Sequence, residues 1–185
     1  RWWPALLLAA CGLAVRELAL PFVLLWALFA ASQRRWRELA AVLAVLALFA
    51  VGMALHAQAV IAERHPGDLQ SQGWTGLQGL PFALYGLVSV TPLAKLPHWL
   101  GPPLALLPVL GWAALGGRKG LFATLWFAGY LLAGSLFARQ VNFYWLSLVL
   151  PAYGAGLALV PRALGDLVSA LRRPRDAADA GSPAP

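Results

Sequence analysis

Residues 39–62 read LAAVLAVLALFAVGMALHAQAVIA, a run of 24 residues without Asp, Glu, Lys or Arg. At 1.5 Å per residue, a helix of this length reaches about 36 Å, enough to cross the roughly 30 Å hydrocarbon core of a bilayer. Apolar residues fall on every face of such a helix, as in segments that are surrounded by lipid or by other helices. The run therefore predicts a transmembrane helix.

The rest of the chain repeats this pattern. Of its 185 residues, 61% are hydrophobic and only 11% are charged, whereas soluble domains carry about 25% charged residues. This composition excludes a water-soluble domain and intrinsic disorder. The single cysteine, Cys11, excludes a disulfide scaffold and a cysteine-based metal site. We predict an all-α, polytopic transmembrane bundle of about six membrane helices, with one further short outer helix that is re-entrant or interfacial.

The uncharged runs place the predicted elements. Residues 1–172 form the transmembrane domain, which we take to be the C-terminal part of a longer protein because the chain starts at Arg1. Within it, residues 163–172 form a surface helix. Residues 173–185 are rich in Ala, Pro, Gly and Asp and predict a disordered cytoplasmic tail. The six predicted membrane helices are 3–15, 17–33, 36–60, 98–116, 119–138 and 141–161.

Basic residues between the runs predict the orientation. Nine of them stand at boundaries that can share the cytoplasmic face, and four stand at the opposite boundaries. Positive charge is enriched in cytoplasmic loops, so the C-terminus is expected on the cytoplasmic side of the membrane. The nine are Arg34, Arg35, Arg37, Arg118, Lys119, Arg162, Arg172, Arg173 and Arg175, and the four are Arg16, Arg64, Lys95 and Arg139.

In this orientation Arg64 lies on the outer side and Arg118 on the cytoplasmic side, so the chain must cross the membrane an odd number of times between them. The runs 69–94 and 96–117 would make two crossings if both spanned, so one of them is expected not to span. The first run has an apolar part of only 14 residues, Leu80–Leu93, after a start rich in Gln and Gly. That length is typical of a re-entrant or interfacial helix. We therefore expect residues 80–93 not to span the membrane.

Polar residues at the outer boundaries are the candidate site. Cations there can pair with a lipid phosphate, and amides and aromatic rings can contact a sugar or an isoprenoid. The same residues also suit plainer roles, as interfacial anchors or an aromatic belt, and the loop around Glu63, His65 and Asp68 suits a solvated loop as well as a polar-ligand site. The candidates for binding a carrier phosphate or substrate are Arg16, Glu17, Lys95, His98, Arg139, Asn142 and Tyr144.

Arg139 is the strongest of these candidates for the phosphate, because it is the only charged residue between positions 120 and 161. No Walker loop, dinucleotide fingerprint, zinc motif or nucleophile elbow occurs in the chain. The basic residues form no stripe or motif for binding nucleic acid, so we expect none as a partner. The catalytic residue stays unknown, and no metal site is predicted within this chain.

The sequence resembles bacterial integral-membrane glycosyltransferases of the GT-C superfamily. The resemblance rests on Arg16-Glu17 before an apolar helix, on the basic turn Gln33–Arg37, and on the segment Arg139–Tyr144 followed by Pro151 and Pro161-Arg162. It implies transfer of a sugar from a polyprenyl-phosphate carrier to an acceptor on the outer face of a bacterial inner (plasma) membrane.

The resemblance also implies that the catalytic carboxylate lies in sequence preceding Arg1. The cofactor stays open, although a divalent cation such as Mg²⁺ or Mn²⁺ would be bound through that preceding part. The expected partners are membrane lipid and the polyprenyl-phosphate sugar. The alternative is a non-enzymatic multi-span membrane protein, either a transporter subunit or a scaffold, whose outer charges would be scattered around the rim and not gathered in one pocket.

Overall fold

Every regular element in the described residues, 1–68 and 77–172 of this computed structural model, is helical. Short 3-10 segments connect several of the α-helices, at Glu17–Ala19, Pro92–Lys95, Gln140–Val149 and Gly156–Leu159. The α-helices are α1 (Trp3–Val15), α2 (Leu20–Ser32), α3 (Trp36–Ala62), α4 (Gly79–Ser89), α5 (Gly101–Ala105), α6 (Leu107–Leu115), α7 (Gly117–Phe137), α8 (Leu150–Ala155) and α9 (Val160–Arg172).

Within the described residues, three helical stretches are long and apolar enough to cross a membrane. They are α3, α7 and the continuous stretch Gln140–Leu171. The others, Trp3–Val15, Glu17–Ser32, Gly79–Ser89 and Gly101–Leu115, are shorter. The all-helical class is confirmed, and the chain has the composition of a membrane protein, but only three of the six predicted spans meet the length of a crossing helix.

Prolines mark helix starts in this fold. A proline stands in the first two positions of α1, α2, α5, α6 and α8. The first turn of a helix needs no N–H donor from these positions, and the fixed φ of proline suits it. Pro151, which the sequence predicts as a kink within the last span, begins α8, where the winding changes from 3-10 to α.

The boundaries of several helices differ from the prediction. The predicted helix 98–116 is divided at Leu106 into α5 and α6. The last predicted span and the predicted surface helix 163–172 are one continuous helical stretch from residue 140 to residue 172. α4 has 11 residues, or about 16 Å, too short to cross a bilayer alone. The predicted tail, 173–185, lies outside the described residues.

Buried side chains form two clusters. The first, here called the N-terminal cluster, joins α1, α2 and α3 around Val23, Ala30 and Val42. The second, the C-terminal cluster, joins α4, α5, α7 and residues 146–153 around Leu87 and Phe127. Edge-to-face aromatic contacts join α2 to α7, with ring centroids 4.9–5.3 Å apart in the pairs Phe22–Phe122, Phe22–Trp126 and Phe29–Phe122. The Phe22–Trp126 contact connects the two clusters, because Phe22 packs on the N-terminal cluster and Trp126 on the C-terminal cluster.

One close helix contact involves two glycines. Gly111 of α6 and Gly156 are so near that a Cβ on Gly111 would lie 2.9 Å from the carbonyl carbon of Gly156. Beside this contact the Trp112 indole Nε1–H donates a 3.0 Å hydrogen bond to the carbonyl oxygen of Ala152. Two residues without side chains let the backbones meet, as small residues do at helix interfaces in membranes.

The two basic turns predicted to be cytoplasmic lie together. Arg118, at the start of α7, donates a 3.2 Å hydrogen bond to Oε1 of Gln33, at the end of α2. The turn continues into α3, where the buried Glu38 accepts a hydrogen bond from Trp26 Nε1 and pairs with Arg35 at 2.8 Å. One end of the bundle therefore carries the Arg34–Arg37 turn and the Arg118-Lys119 pair.

Candidate functional site

Two helical stretches are interrupted at the opposite end of the bundle. Arg16 has an extended backbone, φ −155° and ψ 127°, and separates α1 from the 3-10 turn Glu17–Ala19. Gln140–Val149 is 3-10 helical except at Asn142, whose non-helical backbone, φ −99° and ψ 15°, kinks the segment. A 3-10 segment within a longer helical stretch often marks a functional hinge or a strained sequence. In membranes, irregular backbone is tolerated where it is buried in protein or lines a cavity.

The side chains at these two interruptions meet. Arg16 donates a 3.4 Å hydrogen bond to the Tyr144 hydroxyl, and its guanidinium carbon lies 5.7 Å from the centre of the same ring. A guanidinium within about 6 Å of an aromatic face is attracted by the ring quadrupole. The contact joins residues 128 positions apart. It leaves part of Arg16 in reach of solvent, since the residue is half-buried and Tyr144 is exposed.

A cavity of about 400 Å³, here called the apolar cavity, lies beside this pair. Helices of both clusters line it, and nearly all of its accessible wall is apolar. Glu17 stands at the first interruption and Asn142 at the second, and both belong to the lining. The lining residues are Glu17, Leu18, Leu20, Pro21, Phe49, Met53, Phe82, Ala83, Tyr130, Ala133, Gly134, Phe137, Ala138, Asn142, Phe143, Trp145 and Leu146.

A second cavity of about 570 Å³, here called the polar cavity, lies between α1, the Arg16-Glu17 junction and α3. A larger part of its wall is polar, with Arg16, Glu17 and His56 among its residues. Glu17, Phe49 and Met53 line both cavities. Glu17 therefore stands between an apolar space on one side and a space with a cation and an imidazole on the other.

Tyr130 and His56 are the site residues that the sequence analysis did not name as candidates. Tyr130 is 5% exposed, and its hydroxyl has no hydrogen-bond partner among the described residues. It lines the apolar cavity within electrostatic reach of both Arg16 and Glu17. The sequence does carry a signal for both residues, because Tyr130 and His56 place a phenol and an imidazole inside otherwise apolar runs, where polar side chains are costly.

The structure brings together four of the seven candidates. Arg16, Glu17, Asn142 and Tyr144 share this end of the bundle through the contacts above. Arg139 is half-buried at the junction of α7 with residue 140, and its carbonyl oxygen accepts a 2.8 Å hydrogen bond from the backbone N–H of Asn142. Arg139 does not belong to the described lining of either cavity.

Lys95 and His98 stand apart from the other candidates. Both are exposed, Lys95 at the end of the 3-10 turn that follows α4 and His98 in the connection to α5. Neither belongs to the described lining of the two cavities. The loop candidates Glu63, His65 and Asp68 are exposed as well, with the His65 amide donating a 2.8 Å hydrogen bond to Oδ2 of Asp68. Gln70, Gln72 and Trp74 lie outside the described residues.

The described part of the chain contains no group of three His, Cys, Asp or Glu side chains able to hold a metal ion. What the arrangement offers is an apolar space for a hydrocarbon chain, a guanidinium for an anion, and a carboxylate and an amide for hydroxyl groups. These are the elements of a site for an amphiphilic anion, such as a lipid with a phosphate headgroup.

Comparisons with known proteins add no relative. No family model, no curated protein and no solved structure matches this chain.

Proposed function

We propose that this chain is the lipid-carrier-binding part of a membrane glycosyltransferase that takes a sugar from a polyprenyl phosphate and passes it to an acceptor on the outer face. The observation that carries the proposal is the apolar cavity of about 400 Å³, which shares Glu17 with the polar cavity that Arg16 lines. Its size and lining suit part of an isoprenoid chain, and ligand sites of this kind combine apolar walls with few polar groups.

In this proposal the carrier phosphate lies against Arg16. The guanidinium is already oriented by the Tyr144 hydroxyl and ring. Cleavage of the sugar–phosphate bond leaves additional negative charge on the phosphate, so a cation positioned in advance stabilises the transition state. Glu17 and Asn142 accept and donate hydrogen bonds to hydroxyl groups of the sugar or acceptor. The base that deprotonates the acceptor is assigned to none of the described residues.

The binding step is testable with the chain itself. The purified chain in phosphatidylcholine nanodiscs is titrated with undecaprenyl phosphate, and separately with undecaprenol, while Trp145 and the other tryptophans report binding by fluorescence. Because a charge-assisted hydrogen bond contributes about 1.5–3 kcal/mol, Arg16→Ala is expected to weaken phosphate binding about 10- to 100-fold. Binding of undecaprenol is expected to change little.

Lys95→Ala is the matched control, since it removes one exposed basic residue that lies outside the described lining of both cavities. Arg16→Lys separates charge from geometry, because an ammonium lacks the bidentate fork of guanidinium. Equal losses for Arg16→Ala and Lys95→Ala would mean that the phosphate responds to overall charge, and the proposed site would be wrong.

The second candidate is a non-enzymatic membrane protein, a transporter subunit or scaffold. The exposed positions of Lys95 and His98 favour it, because these two outer candidates do not converge on the cavities. In that case undecaprenyl phosphate and undecaprenol bind equally, and Arg16→Ala changes neither affinity.

A further inference from the structure

α9 carries an apolar stripe that the described residues leave uncovered. Leu164, Leu167, Val168 and Leu171 follow the spacing i, i+3, i+4 and i+7, so they share one face of the helix. They are 51%, 54%, 45% and 85% exposed, respectively. The other faces of α9 carry mostly polar or small residues, whereas the helices before it are apolar on all faces.

One flank of α9 is fixed to the bundle. Ala163 is buried, and α9 packs along α6. Arg162 and Asp166 lie away from the stripe as an exposed pair, with the guanidinium Nε 3.8 Å from the carboxylate oxygen. The helix is therefore amphipathic along its length and supported from one side only.

The surroundings of α9 indicate what covers the stripe. The helix continues directly from the apolar stretch that begins at Gln140. The helix α6, against which α9 packs, ends at Leu115, close in sequence to Arg118-Lys119. Arg118 in turn donates a hydrogen bond to Gln33, which precedes the Arg34–Arg37 turn. Basic residues thus gather near the end of α6, and the sequence beyond α9 adds Arg173 and Arg175.

We propose that α9 lies at the interface of an anionic lipid leaflet, where the helical stretch that begins at Gln140 leaves the hydrocarbon core, with its stripe toward the boundary between headgroups and acyl chains and Arg162 toward the headgroups. Amphipathic helices with this division of residues bind at membrane interfaces. Each basic residue near an anionic surface contributes about 1 kcal/mol, or about fivefold in a binding equilibrium. This surface is separate from the carrier site at the other end of the bundle.

Site-specific fluorescence in the whole chain tests the position of α9. Cys11 is replaced by Ser, and a single cysteine is introduced by Leu171→Cys on the stripe or by Ser169→Cys on the polar face as the matched control. Each is labelled with an environment-sensitive fluorophore. The labelled chains are placed in nanodiscs of phosphatidylcholine alone or mixed with phosphatidylglycerol, with brominated acyl chains as the lipid quencher and iodide as the aqueous quencher.

The Leu171→Cys probe is expected to be quenched by brominated lipid, more strongly with phosphatidylglycerol, while the Ser169→Cys probe responds to iodide. Two charge variants sharpen the test, because both break the Arg162–Asp166 ion pair but change the net charge of α9 in opposite directions. Arg162→Gln is expected to weaken interfacial binding of α9 about fivefold in phosphatidylglycerol, and Asp166→Asn to strengthen it by a similar factor.

Shielding of the Leu171→Cys probe from both quenchers would overturn the proposal, because protein, such as a second copy of the chain, would then cover the stripe. Equal lipid quenching of the two probes would also overturn it. If both charge variants weakened binding, the Arg162–Asp166 pair would be supporting the helix itself, and the role of anionic lipid would be wrong.

Discussion

Replacing Gly156 with alanine is expected to destabilise the fold by about 2 kcal/mol. The added Cβ would lie 2.7 Å from Cδ1 of Trp112 and closer still to the carbonyl oxygen of Pro108. Carbon atoms pack at about 3.5–4.0 Å, so the backbones must separate by about 1 Å. Overpacking of this kind costs about 1–3 kcal/mol. Loss of the adjacent hydrogen bond from Trp112 to Ala152 adds about 1 kcal/mol, which the better helix propensity of alanine offsets.

Gly154→Ala provides the matched comparison two residues away. An added Cβ at Gly154 meets nothing within 4 Å, so only the helix propensity changes, and we expect stability to stay equal or rise by up to about 1 kcal/mol. Equilibrium unfolding of both variants in mixed detergent micelles, followed by tryptophan fluorescence, measures the difference. Equal unfolding free energies for Gly154→Ala and Gly156→Ala would refute the close approach of α6 to residue 156.

Three further predictions concern the two ends of the bundle. Trp26→Phe removes the hydrogen-bond donor of the buried Glu38 and is expected to lower the unfolding free energy by about 1–3 kcal/mol in the same assay. Trp36→Phe, at a 63% exposed position, is expected to change it little, and equal effects would contradict the role of the Trp26–Glu38 hydrogen bond. In sugar-transfer assays with a polyprenyl-phosphate sugar, the proposed function predicts that Arg16→Ala lowers the rate about 10²–10³-fold and Arg139→Ala less, and the reverse order would move the phosphate to Arg139. In intact cells carrying Cys11→Ser, an impermeant thiol reagent is expected to label His65→Cys and to leave Ser32→Cys unlabelled, and external labelling at position 32 would reverse the predicted orientation.

The helical class and most helix positions could be predicted from the sequence because they depend on local patterns. α1 has the predicted bounds, and α7 differs from its prediction by two residues at the start and one at the end. The contact between Arg16 and Tyr144 could not be predicted. Apolar residues occupy all faces of the runs that carry them, so no periodic pattern indicates which face turns toward which neighbour.

The number of crossing helices illustrates the same limit. Hydropathy alone cannot distinguish a run that crosses the membrane from one that is divided, and the prolines of the run 96–117 allow both. In the structure the division falls at Leu106, where α5 ends and Pro108 opens the first turn of α6. The kink at Asn142 had no local signal either, since the 3-10 stretch 140–149 contains neither glycine nor proline.

The location of the apolar cavity relates the fold to the proposed function. Its lining includes Leu20 and Phe49, which pack on the N-terminal cluster, and Ala83, Tyr130 and Leu146 of the C-terminal cluster. The aromatic contact of Phe22 with Trp126 joins the same two clusters. A hydrocarbon chain in the cavity therefore contacts both clusters at once and adds to the apolar surface buried between them. Because a ligand that binds only the folded state stabilises that state by mass action, carrier binding and cohesion of the two clusters should strengthen each other.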